Sequence, residues 1–396
     1  MAELIAIDEA RRRVLEAVRP LPRERVALDA ALGRVLAEEL ASPLDVPPFE
    51  SSAMDGYAVA AGPAAELPVA GESRAGRPFA GPLQPGTAVR ISTGAEVPEG
   101  ANAVVPVERA SQTGANGSVS LPATTQGANV RHPGEDVRAG DVVLGPGTAL
   151  GPAEVAVAAS LGRTELTCAA RPRLALLVTG DELAEPGEPL GPGRIYSSNT
   201  LALAAQARGT GAETVLSKTV ADEAPDTRAA LKRALASADV VCVSGGVSVG
   251  PHDHVKAALR ELGVEERFWG VGLKPGKPTW FGCRDGVLVF GLPGNPVSAM
   301  VTFQLFARPA LLALQGASPE PVRGSAILAH PVARDARRDQ ALRVRLAPGP
   351  EGWRAELTGE QGSHQLTSML GADALALVPA GEGELAAGER VELELL

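Results

Sequence analysis

Apolar positions recur at helical spacing over residues 7–18 and 29–40, where Asp8 and Asp29 stand at cap positions and Pro20 and Pro22 separate the two stretches. From Ser42 to Gly147 the pattern breaks into short apolar runs punctuated by Gly and Pro, among them Thr87 to Ile91 and Ala103 to Val107, which predicts a small β-rich region. Residues 151–162 return to helical spacing. A strict alternation follows: strand at Leu174–Thr179, helix at Thr200–Arg208, strand at Glu213–Val220, helix at Pro225–Ala236 and strand at Val240–Ser244. Next come a helix at Asp253–Leu262, a strand at Gly286–Phe290 and a long apolar helix from Pro296 to about Leu314. Alternation of this kind predicts a mainly parallel sheet covered by helices on both faces. Beyond Ala317 the segments Leu342–Leu346, Trp353–Leu357 and Val391–Leu396 read as strands.

The expected architecture is therefore α/β and multidomain. A helical linker region spans 1–41 and 148–170, with a β-rich domain inserted at 42–147. A three-layer αβα domain follows at 171–317, and a β domain at 318–396 closes the chain. A length of 396 residues suits several cores of this size. Only 3% of residues are aromatic, so aliphatic side chains must fill those cores.

Charge narrows the functional classes. Thirty-seven basic residues against 47 acidic ones give a net charge of -10, which opposes nucleic-acid binding. Lysine occurs only at 218, 232, 256, 274 and 277, so Lys274 and Lys277 form a local concentration. Cys168, Cys242 and Cys283 are odd in number and far apart, and they suggest neither a disulfide framework nor a structural zinc site. No signal-peptide core is visible, and no apolar run reads as a membrane span, so a cytoplasmic location away from membranes is expected.

Three predicted strand ends carry the candidate chemistry. Ser244-Gly245-Gly246-Val247-Ser248 follows a buried strand and precedes a helix, the position where open α/β sheets bind ligands. Glycine there lets backbone N–H groups approach a phosphate; an ordinary tight turn fits the same residues. It is not a Walker A loop, because no Gly-Lys-Ser/Thr ending follows. Thr179-Gly180-Asp181-Glu182 and Gly291-Leu292-Pro293-Gly294-Asn295-Pro296 fall on the same predicted rim. Asp181 and Glu182, with Asp222 and Asp253, offer hard oxygen ligands suited to magnesium, and each also suits a helix cap or a solvated position. Lys274-Pro275-Gly276-Lys277-Pro278 offers two ammonium groups on a proline-stiffened turn, fit for phosphate or an oxyanion or simply for solvent. Asp55 and Asp136 lie in charged turns that by themselves read as structural. His252 and His254 lack the further ligands a transition-metal site needs, and no Gly-x-Ser-x-Gly elbow supports a hydrolase.

Taken in order, these segments resemble the molybdopterin molybdenumtransferases, the family of the bacterial MoeA proteins and the E domain of gephyrin. The resemblance is carried by Ser42-Pro43-Leu44-Asp45-Val46-Pro47, Ser52 to Val59, Gly134-Glu135-Asp136, Thr179 to Glu182, Ser244 to Gly250, Lys274 to Pro278 and Gly291 to Ala299. It implies magnesium-dependent insertion of molybdate into adenylyl-molybdopterin with release of AMP, in a homodimer whose active site lies between subunits. It also implies a molybdopterin adenylyltransferase as a partner. By the same resemblance Asp55, Asp136, Asp181, Glu182, Asp222, Asp253, Lys274 and Lys277 are catalytic. Asp181, Glu182, Asp222 and Asp253 are the metal-binding acids. Thr179, Gly180, Ser244, Gly245, Gly246, Val247 and Ser248 bind substrate, as do Pro293, Gly294, Asn295, Pro296, Ser298, Arg343 and Ser363. Ser197 stands where the family pattern leads one to expect an acid, and histidines flank Asp253. Two alternatives are the adenylyltransferase itself, which does not need the flanking regions, and a dimeric scaffold or binding module that keeps the fold.

Overall fold

The computed structural model describes residues 4–113, 117–247 and 254–396. The chain forms two compact units, one made of residues 1–38, 146–155 and 165–396, the other of residues 39–145 and 156–164.

The first unit is organised around a six-stranded mixed sheet. Its strands, labelled in chain order, are β1 (Arg173–Thr179), β2 (Glu213–Val220), β3 (Val240–Ser244), β4 (Glu265–Trp269), β5 (Trp280–Arg284) and β6 (Val287–Leu292). Their spatial order is β2-β1-β3-β6-β5-β4. β2, β1, β3 and β6 are mutually parallel, while β5 and β4 add an antiparallel edge. The helices of this unit are α1 (Ile7–Ala17), α3 (Asn199–Arg208), α4 (Ala224–Ser237), α5 (Val255–Glu261) and α6 (Pro296–Leu314), while α2 (Pro152–Ser160) is divided between the two units.

Alternation along the strands decides which helix covers which face. Leu174 and Leu176 of β1, Val240 and Cys242 of β3, and Leu288 and Phe290 of β6 pack with α1, α3 and α6. Ala175 and Leu177, Val241 and Val243, and Val289 face the other way and pack with α4 and α5. Strands buried on both sides read as continuous apolar runs because successive side chains must enter opposite cores. In α6, Phe303–Ala307 is π-helical and entirely buried.

Five further strands, β7 (Arg323–Leu328), β8 (Asp339–Gly349), β9 (Gly352–Leu357), β10 (Ala374–Val378) and β11 (Arg390–Leu395), join the short strand Leu273–Lys274 in a second six-stranded sheet. One face of it holds its own core, including Val344, Ala376 and Leu393, while Ala341 and Leu375 enter the core beneath α6.

An ion pair ties these parts together. Arg11 of α1 and Glu394 of β11 are both buried, with Nη2 of Arg11 donating to the Glu394 carboxylate at 2.6 Å. Nε of the same guanidinium donates to the Leu305 carbonyl at 3.0 Å.

The second unit is built on another six-stranded sheet, with Ala103–Pro106 at one edge, followed by Gly56–Val59 and then Ala88–Ile91. Ala58, Val89 and Val104 pack on one face and Tyr57, Ala88 and Val105 on the other. Gly56 admits no side chain, since a Cβ there would lie 2.0 Å from the Val105 carbonyl oxygen.

Two expectations from the pattern are corrected. Residues 29–40 are not helical: a single 3-10 turn at Leu28–Ala30 is followed by extended chain. Gly33 sits at φ +72, and the N–H groups of Gly33, Leu36 and Ala37 donate to Leu150, Thr148 and Thr167 rather than along a helix. The expected helical linker is thus largely extended, and Arg23–Ala27 pairs antiparallel with Glu165–Ala169. The second correction concerns α6, which at 19 residues with a mean hydropathy of 1.5 is long and apolar enough to cross a membrane by composition. Seventy-two per cent of that window is buried inside the fold, the behaviour of a core helix.

Replacing Glu394 by Ala leaves a buried guanidinium without its counter-charge and is expected to cost about 3–5 kcal/mol. The double variant Arg11→Met/Glu394→Leu removes both charges and is expected to lie close to wild type. Denaturant midpoints of the two variants check this; equal destabilisation would remove the ion pair as the cause.

Candidate active site

β1, β3 and β6 run parallel and in register, with Val178 opposite Ser244 and Ser244 opposite Leu292, so all three carboxyl ends open onto one rim. A cleft of about 490 Å³ lies there, within the range of small-molecule sites. Its wall includes Thr179, Glu182, Ser244 to Val247 and Pro293 to Pro296, segments that the sequence places on this rim.

The strand ends are joined by a buried polar node centred on Asn199, the first residue of α3. Its Nδ2 donates to Ser244 Oγ at 2.9 Å and to the Gly294 carbonyl at 2.7 Å. Ser244 Oγ in turn donates to the Pro293 carbonyl at 3.0 Å, so the hydroxyl is engaged on both its donor and acceptor sides. Ser244 therefore holds the rim together and leaves ligand contact to its neighbours. Gly245 and Gly246 have φ of +96 and +66, and a Cβ on either would strike Thr179 or Val255. Only glycine lets the chain turn here while its backbone faces the cleft. Val247 is fixed twice: its side chain packs against Gly291, and its carbonyl accepts from Trp269 Nε1 at 3.1 Å.

A loop from the second sheet of this unit completes the wall. Asn295 Nδ2 donates to Ser363 Oγ at 2.8 Å and the Val297 N–H to the Ser363 carbonyl at 3.2 Å, which places His364 on the cleft. Arg343, by contrast, is fully buried and off the cleft wall. Its Nε donates to Ser368 Oγ at 3.1 Å, and burial pushes its proton affinity down to about 10. Ser298 is buried in the first turn of α6, where its carbonyl accepts from Thr302 Oγ1.

The acids are distributed unevenly. Asp181 is exposed, and its Oδ1 accepts the Asp222 N–H at 3.1 Å, which brings those two loops together. The Glu182 carboxylate folds back over Gly180, where an added Cβ would meet it at 2.6 Å. Ser248 and Asp253 lie outside the described residues. Among the described residues no three His, Cys, Asp or Glu side chains converge as a metal site. Magnesium does not require such a cage, because one or two carboxylates together with substrate phosphates suffice. Asp181 and Glu182 fit that donor set.

Lys274 and Lys277 are exposed at either end of a turn whose Pro275 and Gly276 are buried. The turn is seated tightly, since a Cβ on Gly276 would lie 2.6 Å from Thr302 of α6. Lys274 Nζ lies 3.4 Å from Asp335, whose carboxyl is held far below the ordinary range, chiefly by Arg338 and also by Lys274. Pro278 of the same turn lines the cleft.

In the second unit Asp55 is exposed, and its Oδ1 accepts from the Thr93 N–H at 2.6 Å and hydroxyl at 3.0 Å. These bonds favour the charged form and lower its pKa. Asp136 is also exposed, and its N–H donates to the Val46 carbonyl at 3.0 Å.

Residue-type reasoning did not single out Asn199, His364, Ile195 or Tyr196. Asn199, the first residue of α3, turns its side chain to the ends of other strands. Nothing in the sequence around His364 separates it from a surface loop.

Comparison with known proteins places this geometry in a family. Residues 5–162 match the MoeA N-terminal region (domain I and II), 175–313 a probable molybdopterin binding domain, and 325–396 the MoeA C-terminal region (domain IV). The chain is 37% identical over 400 residues to the molybdopterin molybdenumtransferase of Haemophilus influenzae, covering 99% of this chain and 98% of that protein. It is 39% identical over 405 residues to molybdopterin molybdenumtransferase 2 of Mycobacterium tuberculosis, covering 98% of each. The crystal structure of the molybdopterin biosynthesis MoeA protein from Pyrococcus horikoshii OT3 superimposes with a TM-score of 0.84 at 30% identity over 100% of both chains. With its full length aligned to these proteins, the chain belongs to the MoeA family of molybdopterin molybdenumtransferases.

Proposed function

We propose that the protein inserts molybdate into adenylyl-molybdopterin with magnesium and releases AMP. The observation that carries this reading is the cleft at the ends of β1, β3 and β6, where a glycine loop anchored through Ser244 by Asn199 shares the wall with Glu182. Full-length relatives that bear the transferase name give the reading its substrate, and the flanking regions disfavour an adenylyltransferase. The scaffold alternative requires none of the cleft chemistry.

In this reading the backbone at Gly245 and Gly246 approaches the phosphate closely, and Asn199 keeps the loop and the Pro293-Gly294 turn at a fixed separation. Asp181 and Glu182 would hold magnesium with Asp222 and Asp253, and the ion would supply positive charge to offset the negative charge of the phosphoanhydride. Lys274 and Lys277 attract molybdate, an oxyanion substrate, and Ser363 fixes Asn295 on the opposite wall. The reading extends to the four-region division, to a cytoplasmic homodimer whose subunits share the active site, and to an adenylyltransferase that hands over its product.

Purified protein given adenylyl-molybdopterin and magnesium is expected to release AMP only when molybdate is present, with molybdenum recovered in the pterin. Molybdate-independent release, or none from folded protein, would falsify the proposal. Asn199→Ala deletes two buried hydrogen bonds worth about 1–3 kcal/mol in all, so kcat/KM is expected to fall about 10- to 100-fold. Asp181→Ala is expected to abolish insertion at low magnesium while the melting temperature stays at the wild-type value. Wild-type turnover by the folded Asp181 variant would take that acid out of the mechanism.

A further inference from the structure

β6 is flanked by Gly286 at its start and by Pro293 at the cleft, and beside Gly286 lies a separate recess of about 720 Å³. Five arginines line it: Arg12 and Arg13 from α1, Arg19 from the turn after it, Arg267 from β4 and Arg284 from β5. Three acids, Glu16, Glu265 and Asp285, share the lining and a fourth, Glu9, pairs with both Arg12 and Arg13, so five arginines stand against four carboxylates on a chain of net charge -10.

Backbone carbonyls aim three of these guanidinium groups, of which Arg13 and Arg284 also pair with Glu9 and Asp285. Arg19 Nη1 donates to the carbonyls of Glu16 at 3.1 Å and Val18 at 2.9 Å, Arg13 Nη1 to Arg267 at 3.2 Å, and Arg284 Nη1 to Leu262 at 2.7 Å. Among the described residues Arg19 has no carboxylate partner. The three lining acids are widely exposed, with side-chain exposures of 82% for Asp285, 72% for Glu265 and 60% for Glu16, while Glu9 is exposed to 32%. Exposed ion pairs contribute about 0–1 kcal/mol each, so an anion that displaces them forfeits little. A guanidinium held in place by its backbone bonds presents its remaining N–H groups as a fork for phosphate oxygens.

We propose that this recess binds a diphosphate, either inorganic pyrophosphate or the diphosphate of a nucleotide. Guanidinium groups arriving from α1, β4 and β5 surround more room than one phosphate fills, and two linked phosphates supply charge to several of them at once. The site is independent of the chemistry in the cleft.

The recess carries its own reporter. Cys283 lies in its lining, half-buried, with Sγ accepting from Arg267 Nε at 3.4 Å, whereas Cys168 and Cys242 are buried. Alkylation of Cys283 by iodoacetamide, followed by mass spectrometry on the intact protein, therefore reads occupancy directly. Millimolar inorganic pyrophosphate is expected to slow the reaction several-fold, while potassium chloride at matched ionic strength leaves it unchanged. Arg19→Ala/Arg284→Ala is expected to lose the protection at an unchanged melting temperature, and Asn199→Ala to keep it. No protection of the wild-type protein, or equal slowing by chloride, overturns the proposal.

Discussion

Burial of β1, β3 and β6 on both faces is the constraint from which the site follows. Each strand must send alternate side chains into two different helix layers, so a slip of one residue would exchange Leu176 and Cys242 with Leu177 and Val243 between cores of different shape. Register is therefore fixed along the strands, and with it the level at which all three end. The cleft is where that packing stops: the apolar alternation gives out at Thr179, Ser244 and Pro293, and backbone polar groups take over.

A rim assembled from separate strands needs crosslinks of its own, and side-chain hydrogen bonds provide them, the Asn199–Ser244 bond fully buried and the Asn295–Ser363 bond exposed. Asn199 bridges Ser244 and Gly294, and Asn295 reaches Ser363 on the second sheet. Buried bonds of this type tolerate little displacement, because a lost partner leaves a polar atom without water. Lys274 is drawn into the same arrangement through its parallel register with Gln340. The chemistry-bearing loops thus inherit their positions from two sheets that dock beneath α6.

Sequence periodicity reported the α/β alternation well, since helices over α3, α4 and α6 and strands over β1, β2, β3 and β6 carry a strong apolar signal. It failed at residues 29–40, where Leu32, Val35 and Leu36 have helical spacing but neighbouring strands take the backbone hydrogen bonds. It also passed over β4 and β5, whose charged and aromatic residues suit an antiparallel edge and show no apolar run. Of the candidate site, the glycine loop and the strand-end segments were legible because they punctuate a regular pattern. Asn199 was not, because its role depends on residues 45 and 95 positions away in the chain. The difference between Arg343 and a surface arginine is likewise a matter of burial, which one-dimensional spacing does not encode.

The Arg11–Glu394 contact spans 383 residues of chain. On a ribosome that adds roughly 5–20 residues per second, the guanidinium of α1 waits on the order of tens of seconds before its carboxylate exists. Throughout that interval the guanidinium has the exposed Asp8 of its own helix, 3.9 Å away, as a weak counter-charge. The buried Arg11–Glu394 pair can form only once β11 has been made, so the last contact of α1 with its core waits for that strand.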